Sequence, residues 1–392
     1  MGYKGIIITG TSGSGKTTIA ESLCAKIIKF EIVKAVTTRA PRPGTVESNY
    51  SYVNNQTFSN FEKKQEFIVT TKYRNEKYGI LLSDFLLAIK NNKIPILIIS
   101  PESTKNAIIV DNEIQNFLSF FIDAPDNELE ERLTGRGGKN AQSEIENRNF
   151  DREFKPYSLF HLINYKKSIE GIVDLIDSLW NIRHSGGVIP NQIIQPLIEY
   201  GSLIEPYSEN NISAASYDLT LGVEYFQNGK ISELTDKVPT IVLKPGDFII
   251  AQSFEKVNLP NCISAKFDLT VSMFCKGLIL SNGPQVDPGF SGKLFCLLFN
   301  TSNDTIELKK GEHYATIEFY KLIEPTNKPY VGKYQNKDKI MQYLPKIANY
   351  SVISHLKSEI EGLKKEAFWL KYLPLIISVF ALSVAIYELI KG

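Results

Sequence analysis

The chain has 392 residues, 43% of them hydrophobic and 22% charged, with a formal net charge of +1. This length predicts two domains and an appendage. The composition is that of a globular protein, and the near-neutral balance argues against an electrostatic nucleic-acid partner.

An apolar run, Gly5 to Thr9, predicts a strand, and the pattern from about residue 15 to 29 predicts a helix. Between them lies Gly10-Thr11-Ser12-Gly13-Ser14-Gly15-Lys16-Thr17, followed by Thr18. A Gly-rich loop joining a strand to a helix is the phosphate-binding context. Gly10, Gly13 and Gly15 let backbone N–H groups, with those of Ser14 and Thr18, close around phosphate oxygens. Lys16 can reach the terminal phosphates, and the Thr17 hydroxyl can ligate Mg²⁺. The ligand expected is therefore ATP with Mg²⁺. A P-loop strand starting at residue 5 leaves no room for a signal peptide.

Further strands are expected at 32–37, 94–100 and 117–122, and helices at 82–91, 127–134 and 143–154. The alternation predicts an α/β domain around a parallel sheet, spanning 1–182. Arg183 to Gly187 reads as a linker. From about 215 to 322, short β-like runs alternate with turn signals such as Asn228-Gly229, Pro245-Gly246 and Pro288-Gly289, which predicts an all-β barrel or jelly roll. Residues 326–350 are polar and turn-rich. Residues 353–367 read as a helix leading into the uncharged run Tyr372 to Tyr387. Sixteen helical residues cover about 24 Å. Flanking apolar residues, snorkelling Lys371 and interface aromatics Trp369, Tyr372 and Tyr387 extend that toward a bilayer core of ~30 Å. Lysines at 364, 365 and 371 precede the span and only Lys391 follows it, which places the N-terminal domains in the cytoplasm. Cysteines 24, 262, 275 and 296 each sit in an apolar stretch without metal spacing and read as buried free thiols. The four histidines show no zinc pattern.

Thr37-Thr38-Arg39-Ala40-Pro41-Arg42-Pro43-Gly44, the Asn49-Tyr50-Ser51-Tyr52 stretch and Lys77-Tyr78-Gly79, together with the P-loop, resemble the guanylate kinase family over residues 3–180. The resemblance implies that Arg39, Arg42, Tyr50 and Tyr78 hold the phosphate of an acceptor monophosphate. It also implies that Arg132, Arg136 and the lid residue Arg148 neutralise the transferred phosphoryl group. Lys16, Arg39, Arg136 and Arg148 are then the catalytic set. The base pocket departs from the pattern: acidic family positions are Val69 and Ile98, and a further one is Ser100, while a family serine is Ala35. Guanine discrimination should be reduced by that loss.

The segment 190–222, Leu243-Lys244-Pro245-Gly246-Asp247, Val286-Asp287-Pro288-Gly289-Phe290-Ser291-Gly292, Lys310-Gly311-Glu312 and Gly332-Lys333-Tyr334-Gln335 resemble, in order, the dCTP deaminase/dUTPase family over 188–345. The resemblance implies a distorted dUTPase-type barrel, a homotrimer with sites between subunits, and nucleotide contacts at Ser272, Lys276, Asp287, Phe290, Tyr334 and Gln335. The family's water-activating glutamate falls at Leu297, and two family arginines at Thr270 and Cys275. A leucine cannot act as a general base. Asp287 matches a water-orienting aspartate of the diphosphohydrolase version, which leaves residual triphosphate hydrolysis as one alternative.

The expected architecture is a kinase-like domain (1–182), a barrel (188–345) that binds a pyrimidine deoxynucleotide without deaminating it, and a helical stalk with a transmembrane anchor (352–392). Beside this membrane-anchored monophosphate kinase stands a second reading, a nucleotide sensor coupled to a membrane effector in anti-phage defence.

Overall fold

The computed structural model describes residues 3–41, 48–73, 76–104, 117–135, 145–165, 169–343 and 351–391. Five parallel strands form the first sheet, in the order Phe30–Ile32, Ile94–Ile98, Gly5–Gly10, Phe117–Asp123, Phe160–Ile163. The central strand Gly5–Gly10 is buried along its whole length. Strand alternation sends Ile6 and Ile8 to one face, against Ile19 and Leu23 of helix Lys16–Lys26, and Ile7 to the other, with Val69, Ile80 and Leu97. A smaller mixed sheet, ordered Tyr50–Tyr52, Ala35–Thr37, Glu76–Leu81, Phe67–Tyr73, covers that second face.

The strand expected at 32–37 is two strands in two sheets. Val33 still donates its N–H to Ile96 O at 3.0 Å, and the chain then leaves the main sheet so that Ala35–Thr37 can pair with residues 78–80. Residues 143 and 144 of the helix expected at 143–154 lie outside the described residues; within the rest, a turn at Asn147 separates helical residues 145–146 from helix Arg148–Glu153. Several helices escaped the sequence reading, among them Asn55–Lys63, Ile169–Asn181 and Asn191–Gly201, although Ile169–Asn181 carries a clear apolar stripe, Ile172, Val173, Leu175, Ile176, Leu179 and Trp180.

The second domain is a curled antiparallel arrangement. Phe248–Asn258 lies between Ser216–Gln227 and Ser291–Asn300, and His313–Lys321 lies between Ser216–Gln227 and Ile263–Leu269. Along Ser291–Asn300 buried and half-buried positions alternate strictly, as expected of a strand with one face on a core.

The segment Arg183–Gly187 is short and pinned. Lys321 Nζ, on a largely buried side chain, donates to Arg183 O at 3.3 Å and Ser185 O at 2.9 Å, and Gly187–Val188 pairs with Tyr320–Lys321. One hydrophobic cluster runs without interruption from Ile6 of the parallel sheet, through both seam helices, to Phe319 of the barrel. At the crossing of the two helices Tyr200 Oη lies 2.0 Å from where a Cβ at Gly171 would stand.

The thiols are only partly as expected. Cys262 and Cys296 are buried and Cys24 is intermediate, whereas Cys275 is exposed at the end of helix Val271–Cys275, whose only buried side chain is Met273. Burial pushes the Cys24 thiol up to about 11 and that of Cys262 to about 12, so both stay protonated at neutral pH.

Helix Ser351–Lys391 is continuous over 41 residues, or about 60 Å. Within it Glu359–Tyr387 is long and apolar enough to cross a membrane, with mean hydropathy 1.9, and none of that window is buried in the protein. Pro374 interrupts neither end, and Ser378 Oγ and Ser383 Oγ satisfy themselves on helix carbonyls of Pro374 and Phe380 at 2.7 Å.

Replacing Gly171 with alanine should force Tyr200 out of the seam. An overpacked contact of this kind costs about 1–3 kcal/mol, which chemical denaturation of the full-length protein would register as a lower unfolding midpoint at unchanged m. An unaltered midpoint would show that the helices are not in close contact there.

Candidate nucleotide sites

The P-loop geometry follows from its glycines and from three side chains the sequence reading missed. Gly10, Gly13 and Gly15 have φ of +136°, +84° and +91°. A Cβ at Gly10 would sit 1.9 Å from Ile122 O, and one at Gly15 2.6 Å from Asn164 Nδ2. Both positions need glycine for conformation and for space. Asn164, just beyond strand Phe160–Ile163, donates from Nδ2 to Ser14 O at 2.8 Å and from its backbone N–H to Asp123 O at 2.8 Å. Asp123 ends the neighbouring strand and accepts from Thr11 Oγ1 at 3.0 Å and from Arg152 Nε at 2.9 Å. The loop is thus held from beneath by Asn164, Asp123 and Arg152. The only sequence signal for this was a carboxylate closing a mostly apolar run, Phe117 to Ile122.

Lys16 Nζ donates to Gly10 O at 2.9 Å and Thr11 O at 2.7 Å, which keeps the ammonium at the loop. Thr17 and Thr18 are exposed on the first turn of the helix. Positive-φ glycines, a lysine over the loop and a free-facing threonine at a helix N-terminus fit a nucleotide triphosphate with Mg²⁺. Thr17, exposed on the first turn of the helix, is the loop side chain that would ligate Mg²⁺ brought in with the phosphates.

A cleft opens from the loop. Its lining includes Gly10, Gly13, Gly15, Lys16, Thr17 and Thr18 from the loop and helix start, Tyr50 and Tyr78, the apolar Ala35, Val69, Ile80 and Ile98, and the hydroxyls of Thr70, Thr71, Ser100 and Ser103. The Tyr50 and Tyr78 rings meet edge to face at 6.4 Å. The Arg39 guanidinium lies 5.3 Å over Tyr50 and 5.7 Å over Tyr52, at cation–π range. Arg42 and Arg136 lie outside the described residues. Arg148 is not part of the cleft wall: it pairs with Asp126 at 3.3 Å and Glu130 at 2.7 Å. Arg132 pairs with Glu128 at 3.1 Å and donates to Asn164 O at 3.2 Å, so it belongs to the loop's support. From the lid side it is Asp151, nearly fully buried, that lines the cleft.

In the barrel, Asp287-Pro288-Gly289-Phe290 closes a turn, with Phe290 N donating to Asp287 O at 3.1 Å and Gly289 at φ +84°. The Asp287 carboxylate accepts from Gln285 Nε2 at 2.8 Å. Gln335 clamps the turn, donating to Gly289 O at 2.9 Å and accepting from Ser291 N at 3.2 Å. Phe290 is buried against Tyr330, rings 5.6 Å apart, and Tyr334 lies 5.7 Å from Phe295. In this protomer Phe290 and Gln335 therefore hold the turn's shape. Ser272 lies 3.0 Å from the Thr270 hydroxyl, and Lys276 pairs with Glu312 at 2.8 Å. Leu297 is half-buried, opposite Ile250 and Ser281 in register.

The two sets of barrel residues sit apart. Gly277, next to Lys276, accepts from Thr301 N at 3.0 Å, just past one end of strand Ser291–Asn300, whereas the Asp287 turn runs into its other end. Ten extended residues put about 30 Å between those ends.

A dCTP deaminase-like family model matches residues 188–322. Over 139 residues the chain is 36% identical to a dCTP deaminase of Pyrococcus horikoshii, covering 36% of this chain and 88% of that protein. Over 133 residues it is 39% identical to one of Thermococcus kodakarensis, covering 34% and 84%. The chain belongs to the dCTP deaminase-like family. A guanylate kinase model matches residues 2–180, so the protein is a fusion of the two. A solved guanylate kinase of Anaplasma phagocytophilum aligns over 47% of this chain and 88% of its own, at 20% identity and a TM-score of 0.37.

Proposed function

We propose that this is a membrane-tethered nucleotide-handling protein. Its P-loop domain (1–182) transfers a phosphoryl group from ATP to a nucleoside monophosphate. Its barrel (188–345) binds a pyrimidine deoxynucleotide without deaminating it, and 352–392 form stalk and anchor. The observation that carries the kinase half is the shared cleft, lined both by the phosphate loop and by the Tyr50–Tyr78 pair.

Phosphoryl transfer asks a protein for positioning and charge neutralisation and for little covalent chemistry. The loop N–H groups hold the donor's phosphates, and Lys16 exchanges its two carbonyl partners for the terminal ones. Mg²⁺ bound with ATP would spread the charge of the β and γ oxygens. Arg39, with Arg42, neutralises the acceptor phosphate beside Tyr50 and Tyr78, and Arg136 and Arg148 close from the lid. Asn164, Asp123 and Arg152 keep the loop in place while this happens.

Two observations support the barrel reading. Leu297 offers no proton acceptor where the deaminase-type chemistry needs one. The separation of Lys276 from the Asp287 turn along one strand means that a single protomer cannot close a compact site around both. A homotrimer, in which neighbours bring Ser272 and Lys276 up to the Asp287 turn, resolves that geometry. No nucleic acid is expected.

The second reading, a nucleotide sensor acting on a membrane effector in anti-phage defence, is favoured by one feature. The stalk and the candidate span are a single unbroken helix, Ser351–Lys391, so a change in how the stalks pack would reach the bilayer. A passive anchor needs no such continuous stalk.

Lys16→Ala should lower phosphoryl transfer from ATP by a factor on the order of 10² or more, since a preorganised positive contact to the migrating group is lost. Transfer assays with purified full-length protein decide it, and an unchanged rate would move the chemistry elsewhere. Incubation with dCTP should release no ammonia above background. Leu297→Glu alone should not change that, because Thr270 and Cys275 also lack charge; clear dUTP or dUMP formation by the wild type would defeat the barrel reading. Finally, full-length protein should pellet with membranes and resist carbonate extraction, whereas a 1–350 truncation should stay in the supernatant. Full-length protein recovered as a soluble monomer would remove both the anchor and the trimer.

A further inference from the structure

We propose that the stalk preceding the candidate span is one strand of a parallel, in-register coiled coil, and that its partner is the same helix of another copy of this chain. The proposal goes beyond the nucleotide reading, because it holds whatever either site binds. It starts from a length of helix that packs against nothing. From Glu359 to Tyr387 the most apolar window of helix Ser351–Lys391 has no part buried in the protein. Lipid is the cover proposed for the uncharged run from Tyr372 to Tyr387; the charged stretch before it has no such cover. There Ile360, Leu363 and Leu370 are 50%, 63% and 77% exposed. Helices in water owe most of their stability to the packing of an apolar stripe. Gly362 lowers the intrinsic propensity of this one further.

The apolar residues are spaced for one kind of packing. Ile360, Leu363, Ala367 and Leu370 follow one another at intervals of three, four and three. In the sequence the same alternation reaches back to Ile353 and Leu356, and forward past Pro374 to Ile377, Ala381 and Val384. Written as heptads, Ile360 and Ala367 stand at position a, and Leu363 and Leu370 at position d. A strict seven-residue repeat is the seam of a left-handed supercoil, in which each a or d side chain enters a hole on the facing helix. The unbroken helix carries that seam from the stalk into the span.

The charges decide the partner and its direction. In this register Glu359 and Glu366 fall at position g, and Lys364 and Lys371 at position e. Each glutamate precedes its lysine by five residues, which does not bring the two together on one helix, where neighbours lie three or four apart. Between parallel helices, position g faces position e of the following heptad on the neighbour. Glu359 then meets Lys364 of the next copy, and Glu366 meets Lys371. Reversing one helix would bring glutamate to glutamate and lysine to lysine. Glu361 and Lys365, four apart at the outer positions b and f, support the helix from its own surface. A helix kept soluble by charge alone needs no segregation of acids to one flank of the seam and bases to the other. The pairing is the same around two strands or three, so it accommodates the three barrels proposed above.

The test is disulfide formation in membranes from cells producing the full-length protein, with the exposed Cys275 replaced (Cys275→Ser). Under mild oxidation Leu363→Cys, at position d, should form a covalent dimer at least tenfold faster than Lys365→Cys on the outer face, because Cα atoms more than about 7 Å apart cannot be bridged. Added to Leu363→Cys, either Glu359→Lys or Lys364→Glu should slow crosslinking about threefold or more, by setting like charges opposite each other. Coexpressed with different tags, these two variants should recover the original rate and yield mainly the mixed dimer. Equal crosslinking from positions 363 and 365, or indifference to both charge reversals, would overturn the coil. Slowing by both reversals without recovery in the mixture would overturn the parallel register. Pelleting of the same samples is scored separately, so protein left in the supernatant counts against the anchor while its crosslinks still decide the coil.

Discussion

The arrangement of this protein depends on the close crossing of helices Ile169–Asn181 and Asn191–Gly201. Tyr200 occupies the volume a side chain at residue 171 would need, so the crossing exists only because that position is glycine. The second helix also lies along strand Phe160–Ile163, where the backbone at Gly201 comes near His161 O. The seam is part of the continuous core, so separating the domains would expose Leu197, Ile198, Leu175 and Ile176 to water at about 25 cal/mol per Å². A P-loop domain and a barrel with a flexible tether would turn independently. These two are packed as parts of one body, and Lys321 ties the intervening chain to the barrel edge.

That seam touches both candidate sites through short contacts. On one side the Phe160–Ile163 strand ends in Asn164, which holds Ser14 of the phosphate loop. On the other, Ser202 O accepts from Asn258 Nδ2 at 2.8 Å, and Asn258 Oδ1 accepts from Ser291 Oγ at 2.7 Å, beside the Asp287 turn. Contiguity by itself transmits nothing. A nucleotide in one site biases the other only if it binds two arrangements of this path unequally. The structure supplies the mechanical precondition, which is one polar contact at the end of strand Phe160–Ile163 and another at the C-terminal end of the packed helix Asn191–Gly201.

How much of this was legible in the chain depended on the range of the interaction. The P-loop was readable because backbone conformation dictates glycine at 10, 13 and 15 within a few residues. The barrel was readable because turn residues punctuate its strands at regular intervals. The loop's support was not, because Asp123, Arg152 and Asn164 are brought together by sheet order and carry no common spacing. The Asn191–Gly201 helix was hidden by its internal Pro196 and by resting its apolar face on another domain. The split of 32–37 turned on which of two sheets could pair each half, a tertiary choice that local propensity does not encode. Cys275 misled for a related reason: its neighbours are apolar, yet the short helix carrying it leaves Val271 and Phe274 exposed as well.

That exposed apolar helix end bears on assembly together with the tail. Val271 is 76% and Phe274 68% exposed, on the short helix leading to Lys276, which lies by the opposite end of strand Ser291–Asn300 from the Asp287 turn. Apolar side chains grouped next to half of a divided site mark a surface that a neighbour should cover. Three barrels joined there would gather three copies of the Ser351–Lys391 helix. The exposed Trp369, Phe380 and Ile377 of each would then face lipid or one another instead of water. Site completion, burial of the helix face and clustering of the spans would then be consequences of one symmetry operation. Occupancy of the nucleotide site between barrels would be linked by mass action to the stability of the trimer that holds the spans together.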